Sequence, residues 1–164
     1  MHRFLDALSR HLAALTTLLG CLCALVMALA LIAGVFYRYV LNASLTWADE
    51  VALLAFSWSV FLFASELVRQ QSHVRITLLV ERLPPTMRSL FERLSLLLVA
   101  TFGALMLWAG WKFASFTAHQ VSAALRYPLW LQSASVPVSG ALIVLHSLTQ
   151  LMQPTSAPAQ GVTP

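Results

Sequence analysis

The sequence predicts an all-α integral membrane protein. It has four transmembrane helices, both termini on the cytoplasmic side, and a short amphipathic interfacial segment between the second and third helices. Three observations predict it. Of the 164 residues, 59% are hydrophobic and 10% charged, whereas a soluble domain carries about 25% charged residues. Four apolar stretches, at residues 12–37, 47–68, 90–111 and 129–151, reach the roughly 20 residues that cross a bilayer. Finally, the basic residues fall on one side of those stretches. Arg3 and Arg10 precede the first, and Arg69, Arg75, Arg82, Arg88 and Arg93 lie between the second and third. The opposite face receives only Arg38, Lys112 and Arg126, and loops rich in Lys and Arg stay cytoplasmic.

The four stretches consume more than half the chain, so one membrane domain over residues 1–152 is expected, with no separate soluble domain. The tail, residues 153–164, is polar and proline-rich and is expected to be disordered. A sequence pI near 9.7 is here a topology signal rather than a nucleic-acid patch, because the charges are scattered along loops. Membrane lipid is an expected partner, and nucleic acid is not.

The first stretch begins like a secretory signal but continues apolar through Phe36, too far for a cleaved segment; a retained signal-anchor helix is expected. Gly20, Ala24 and Ala28 form a small-residue stripe that lets another helix approach. Cys21 and Cys23, two apart on a helix, point to nearly opposite faces and cannot readily pair. In the second stretch the small residues are Ala48, Ala52, Ala55 and Ser59. The connection after it interleaves Ile76, Leu78, Leu79, Val80 and Leu83 with Arg75, Glu81 and Arg82, the pattern of an interfacial amphipathic segment. Arg88 and Glu92 are spaced to pair as the third helix begins. That helix offers Ala100, Gly103, Ala104 and Gly110 for packing. The fourth offers Ser133, Pro137, Gly140 and Ala141, and Pro137 should kink or loosen it. Tyr37, Tyr39, Trp47, Trp111, Tyr127 and Trp130 gather toward the outer face as an aromatic belt.

Ionisable residues near a membrane are functional candidates. Arg38 closes the first span, and Asp49 and Glu50 open the second on the same side. An ion pair between Arg38 and Glu50 within this hairpin is one expectation. Docking to another subunit is a second, and binding a transported ion a third, although an acidic pair falls short of a cation site's ligand count. Glu66 lies within reach of Arg69. A haem would need two imidazoles at matching depth, and His11 with His146 is the pairing that fits; His119 sits at the outer end of the third span. No Cys-x-x-Cys pair, nucleophile–base set, phosphate loop or metal cluster occurs, so the sequence points to no enzyme and no cofactor.

The ordered run of Arg38, Trp47, Asp49, Glu50, His73, Val74, Arg75, Leu83 and Pro84 resembles the small membrane subunit of tripartite ATP-independent periplasmic (TRAP) transporters. Gln120, Leu125, Pro128, Trp130 and Pro137 resemble that family's approach to its last helix. Ala64 and Thr77 depart from the family pattern, which often has glycine and an acid there. The resemblance implies a bacterial inner-membrane, multi-pass subunit that is not itself the pump. A large multi-span membrane subunit would move the substrate on an ion gradient, and a periplasmic substrate-binding protein would deliver it, often an organic acid. Arg38, Trp47, Asp49 and Glu50 would then fix the hairpin or meet the large subunit. His73 and Arg75 would hold the cytoplasmic interfacial segment against lipid headgroups or the partner. The competing readings are a stand-alone homo-oligomeric small transporter, against which the first span lacks an acid, and a membrane haem or redox protein.

Overall fold

The computed structural model describes residues 2–70 and 85–151. The interfacial segment carrying His73 and Arg75, and the expected disordered tail, lie outside them. So do the side chains of Arg88 and Glu92. Five α-helices occur among the described residues: α1 (His2–Tyr39), α2 (Thr46–Gln70), α3 (Pro85–Phe116), α4 (Trp130–Ser133) and α5 (Ser135–Leu151). Four stretches are long and apolar enough to cross a membrane: His11–Tyr39, Thr46–Gln70, Arg93–His119 and Trp130–Leu151.

Each boundary has a local cause. After α1 the chain turns through Asn42, whose φ of 50° lies in the left-handed region that a short amide side chain tolerates. α2 carries Asp49 in its first turn and Arg69 in its last, each matched in sign to its end of the helix dipole. α3 opens on Pro85, whose missing N–H costs nothing at a first helical position. The last span is interrupted at Ala134, three residues before Pro137. A proline ring clashes with the carbonyl four residues back, here that of Ser133, and cannot donate to it, so the loosening expected at Pro137 is found.

The helices form a row rather than a closed bundle. α1 packs on α2, α3 on α5, and α2 on α5, with a lesser contact between α1 and α5. The order is therefore α1, α2, α5, α3. In the apolar windows of the edge helices α1 and α3, 11% of residues are buried, against 33% in α2 and 44% in the last span. The edge helices turn Leu15, Leu22, Leu29, Leu94, Leu98 and Leu105 outward, as lipid permits and water does not.

The interior is small and polar. Ser65, Ser135, Ser139, Ser147 and His146 are the largest fully buried side chains. Several hydroxyls return to their own helix: Ser65 donates to Leu62 O at 2.7 Å, Ser135 to Gln132 O at 2.8 Å and Thr149 to Leu145 O at 2.7 Å. A helix can thereby hide a hydroxyl without an orphan donor. Ala48, Ala52, Ala55 and Ser59 are all buried, as their spacing predicts. In α1, Gly20 is buried, Ala24 half-buried and Ala28 exposed. A strict four-residue stripe rotates about 40° per step on a 3.6-residue helix, which carries Ala28 off the contact. Ala13, Thr16 and Ala30 are buried instead.

α3 and α5 meet backbone to backbone. A Cβ added at Gly140 would lie 2.6 Å from Leu107 N and 2.8 Å from Gly103 O, and one at Gly110 would lie 2.8 Å from Pro137 N. Ala104 and Ala141, the other small residues of these faces, are exposed.

α2 runs parallel to the last span, α4 and α5, and polar side chains stitch the two along their length. Trp58 Nε1 donates to Leu131 O at 3.0 Å, Ser139 Oγ to Phe61 O at 2.6 Å, and Gln150 Nε2 to Val68 O at 3.1 Å. Interhelical hydrogen bonds of this kind contribute about 0.6 kcal/mol each in membrane proteins. Ser139→Ala should therefore lower the unfolding free energy by about 0.6 kcal/mol, read from a denaturant series in mixed micelles. A loss above about 2 kcal/mol would mean that the seam acts as one cooperative unit.

Candidate functional site

The most elaborate polar arrangement sits at the end of the row where α1 meets α2 and α3 meets α4, here termed the loop end. A 3₁₀ turn, Thr117–His119, follows α3, and the chain then forms a small hairpin. Val121 and Pro128 pair as an antiparallel bridge. Ser122 N donates to Tyr127 O at 3.0 Å and Leu129 N to Gln120 O at 2.9 Å. Arg126, at φ 55°, reverses the chain at the tip.

Glu50, just past the first turn of α2, reaches under this tip. Its carboxylate accepts from Ser122 Oγ at 2.8 Å, Ala124 N at 2.7 Å and Leu125 N at 2.8 Å. Two backbone amides and a hydroxyl thus converge on one anion, the charge-assisted geometry that gives short, strong hydrogen bonds. The contact joins residues 72 to 75 positions apart and closes the loop end over α2. At the base, Thr117 Oγ1 and Ser133 Oγ share a hydrogen bond at 3.0 Å, tying the end of α3 to α4.

The ion pair of the hairpin runs from Arg38 to Asp49, not to Glu50. Arg38 Nη2 is 3.7 Å from Asp49 Oδ2, with both side chains more than half exposed. Neighbouring residues on a helix point about 100° apart, so one acid of the pair can face α1 while the other faces the hairpin. An exposed pair at this distance is worth at most about 1 kcal/mol. Trp47 is 42% exposed beside it. Of the expected site residues, then, the structure brings Arg38 and Asp49 together and sends Glu50 elsewhere. Ser122, Ala124 and Leu125 join the site unannounced, because two of the three donors are backbone amides that no residue type marks.

Tyr127 completes the loop, donating to Gln132 Oε1 at 3.2 Å. Burial pushes its phenol above the ordinary value, and the nearby Glu50 carboxylate adds to the rise. The folded state therefore holds this proton more tightly than the unfolded chain, and the linked stability is lost as pH rises. Thermal midpoints should stay flat from neutral pH to about pH 10 and fall above it. In Tyr127→Phe that alkaline fall should shrink; an unchanged profile would remove Tyr127 as its source.

At the other end of the row, Glu66 is buried and bonded through Oε1 to Arg69 at 3.5 Å and Gln70 at 3.3 Å, the local pairing its spacing predicts. An open, mostly apolar groove of about 440 Å³ runs beside it between α1 and α2, lined by Ala13, Ala14, Thr17, Leu18, Cys21, Glu66 and Arg69. His146 is buried in α5 while His11 is exposed on α1. The two imidazoles considered for haem thus have different surroundings. Among the described residues no group of three or more His, Cys, Asp or Glu is placed to hold a metal ion.

Four membrane-crossing helices, with interior polar side chains that join helix to helix and helix to loop, define a multi-pass membrane protein. The family model described as tripartite ATP-independent periplasmic transporters, DctQ component, matches residues 27–156, most of the chain, and the chain belongs to that family. It is 29% identical over 114 residues to the C4-dicarboxylate TRAP transporter small permease protein DctQ of Rhodobacter capsulatus, a match covering 68% of this chain and 50% of the relative. To the protein of the same description in Vibrio cholerae it is 29% identical over 87 residues, covering 53% of this chain and 38% of the relative. The sialic acid TRAP transporter small permease protein SiaQ of Vibrio cholerae is 27% identical over 115 residues, with 70% and 66% covered. The chain therefore spans half or less of the length of the two DctQ relatives.

Proposed function

We propose that this chain is the non-catalytic small membrane subunit of a TRAP-type secondary transporter. It scaffolds a large, ion-coupled membrane subunit that takes up an organic acid delivered by a periplasmic binding protein. The protein sits in the bacterial inner membrane with both termini cytoplasmic, as one membrane domain over residues 1–152, and the loop end faces the periplasm. The observation that carries the reading is the seam between α2 and the last span, α4 and α5, where Trp58, Ser139 and Gln150 are committed to backbone carbonyls of the neighbouring element. Side chains used in this way hold a shape and offer no path to a solute.

Two further findings support it. The isethionate TRAP transporter permease protein DctMQ of Oleidesulfovibrio alaskensis matches over a region that is 18% of its length. This fits a small subunit joined to a much larger permease. The relatives are described for C4-dicarboxylate, isethionate and sialic acid, all anions at neutral pH, which supports an organic acid here. Arg38, Trp47 and Asp49 anchor the outer end of the first hairpin or meet the large subunit. His73 and Arg75 hold the cytoplasmic connection against lipid headgroups or that partner.

The test is a pull-down of the tagged chain from its native membranes in mild detergent, with mass spectrometry of what co-purifies. A near-stoichiometric large polytopic protein is the expected result. A chain that purifies alone or only with itself would overturn the reading.

A further inference from the structure

Going beyond that function, the geometry points to the loop hairpin as a carboxylate receptor built from Ser122 Oγ and the Ala124 and Leu125 amides. Glu50 is its resident ligand, and a small free carboxylate takes the site when the Glu50 carboxylate is removed. The three donors lie 2.7 to 2.8 Å from the Glu50 oxygens. The Ala123 amide is directed at the same group. Consecutive backbone N–H groups in a turn thus line one concavity, an arrangement that binds anions. Every contact is made to the carboxylate, and none to the rest of the glutamate.

The receptor and its ligand come from separate parts of the chain, 72 to 75 positions apart. The hairpin has bonds of its own at the base, from Ser122 N to Tyr127 O and from Leu129 N to Gln120 O, so its outline does not rest on Glu50. Ser122 is buried at the back of the site, while Ala123, Ala124 and Leu125 are exposed, which leaves the front open to solvent. The donor set decides the ligand class. Two oxygens of one charged group can accept from all the donors, whereas a carboxamide would turn its own N–H groups against them. Glu50, tethered on α2, holds the site at high effective concentration, so a free acid competes poorly with it in the wild type.

The experiment follows hydrogen exchange at the Ala124 and Leu125 amides of the full chain in detergent micelles, as sodium acetate replaces sodium chloride at constant ionic strength. Glu50→Ala with acetate supplies the atoms that the side chain has lost. In Glu50→Ala the two amides should exchange about tenfold faster than in wild type, and acetate should restore most of that protection along a saturating curve. Acetamide, of the same shape without the charge, should restore none, and the wild type should not respond to acetate. Adding Ser122→Ala to Glu50→Ala should raise the acetate concentration for half recovery about tenfold, the share of one charge-assisted hydrogen bond. The proposal is overturned if acetate restores no protection, if acetamide restores as much, or if Glu50→Ala leaves both amides as protected as in wild type. Should Glu50→Ala also strip protection from α2 and α5, the series is repeated on Glu50→Gln, where recovery with acetate supports the receptor and its absence overturns it. The readout involves no partner, so failure of the chain to co-purify with a large subunit would refute the subunit reading and leave this result standing.

Discussion

Replacing Gly140 by alanine should destabilise the protein by about 3 kcal/mol, the upper end of the range for overpacking a tight interior. The added Cβ would sit 2.6 Å from Leu107 N and 2.8 Å from Gly103 O, and both atoms belong to a facing helix backbone. A side chain in the way can change rotamer; a helix backbone must move as a body. α3 would have to withdraw from α5, and α5 is the element on which it chiefly rests. The measurement is a denaturation midpoint in mixed micelles, with Ala141→Leu as the control. Ala141 is the next residue but faces outward, and its replacement should stay within about 0.5 kcal/mol. Equal midpoints for Gly140→Ala and wild type would mean that α3 and α5 do not pack backbone to backbone.

Glu50→Gln should release the loop hairpin while leaving the helices in place. The glutamine keeps one carbonyl oxygen but sets an NH₂ group against donors, so at least one of Ser122 Oγ, Ala124 N and Leu125 N loses its acceptor. Hydrogen exchange at the Ala124 and Leu125 amides should accelerate by about tenfold or more, as for a segment moved into the low-stability tier of a structure. Amides in the middle of α2 and α5 should keep their protection. Asp49→Asn, which removes the exposed partner of Arg38, should leave Ala124 and Leu125 unaffected. Protection at those two amides unchanged by Glu50→Gln would show that the carboxylate is not what closes the hairpin.

Much of the architecture was legible in the residues. Spans follow from apolar length, and the buried face of α2 from small residues at 48, 52, 55 and 59. The break before Pro137 follows from a missing N–H and a ring clash. What the sequence left open has physical reasons. The Gly20, Ala24 and Ala28 stripe looked continuous in one dimension but winds off the contact over two turns. Charge suggested that Arg38 would take Glu50, whereas helical geometry allows only one of two adjacent acids to face it, and the residues alone do not say which. Glu50 instead serves backbone amides more than seventy positions away; amides are present at nearly every residue, so no pattern of side chains advertises that pairing. The seam between α2 and the last span, α4 and α5, was hidden for a related reason. Trp58 and Gln150 hydrogen-bond carbonyl oxygens, which every residue carries.

The row order of α1, α2, α5 and α3 makes the molecule two local hairpins with one join between them. Each hairpin closes on near neighbours in sequence, and the halves are linked chiefly by the join, with Glu50 and the lesser contact between α1 and α5 beside it. Residues 2–70 and 85–151 made as separate polypeptides in one cell should therefore find each other and rebuild the protein by fragment complementation. Damage to Ser139 or Gln150 would then register as weakened reunion of the halves, with each half still inserted in the membrane.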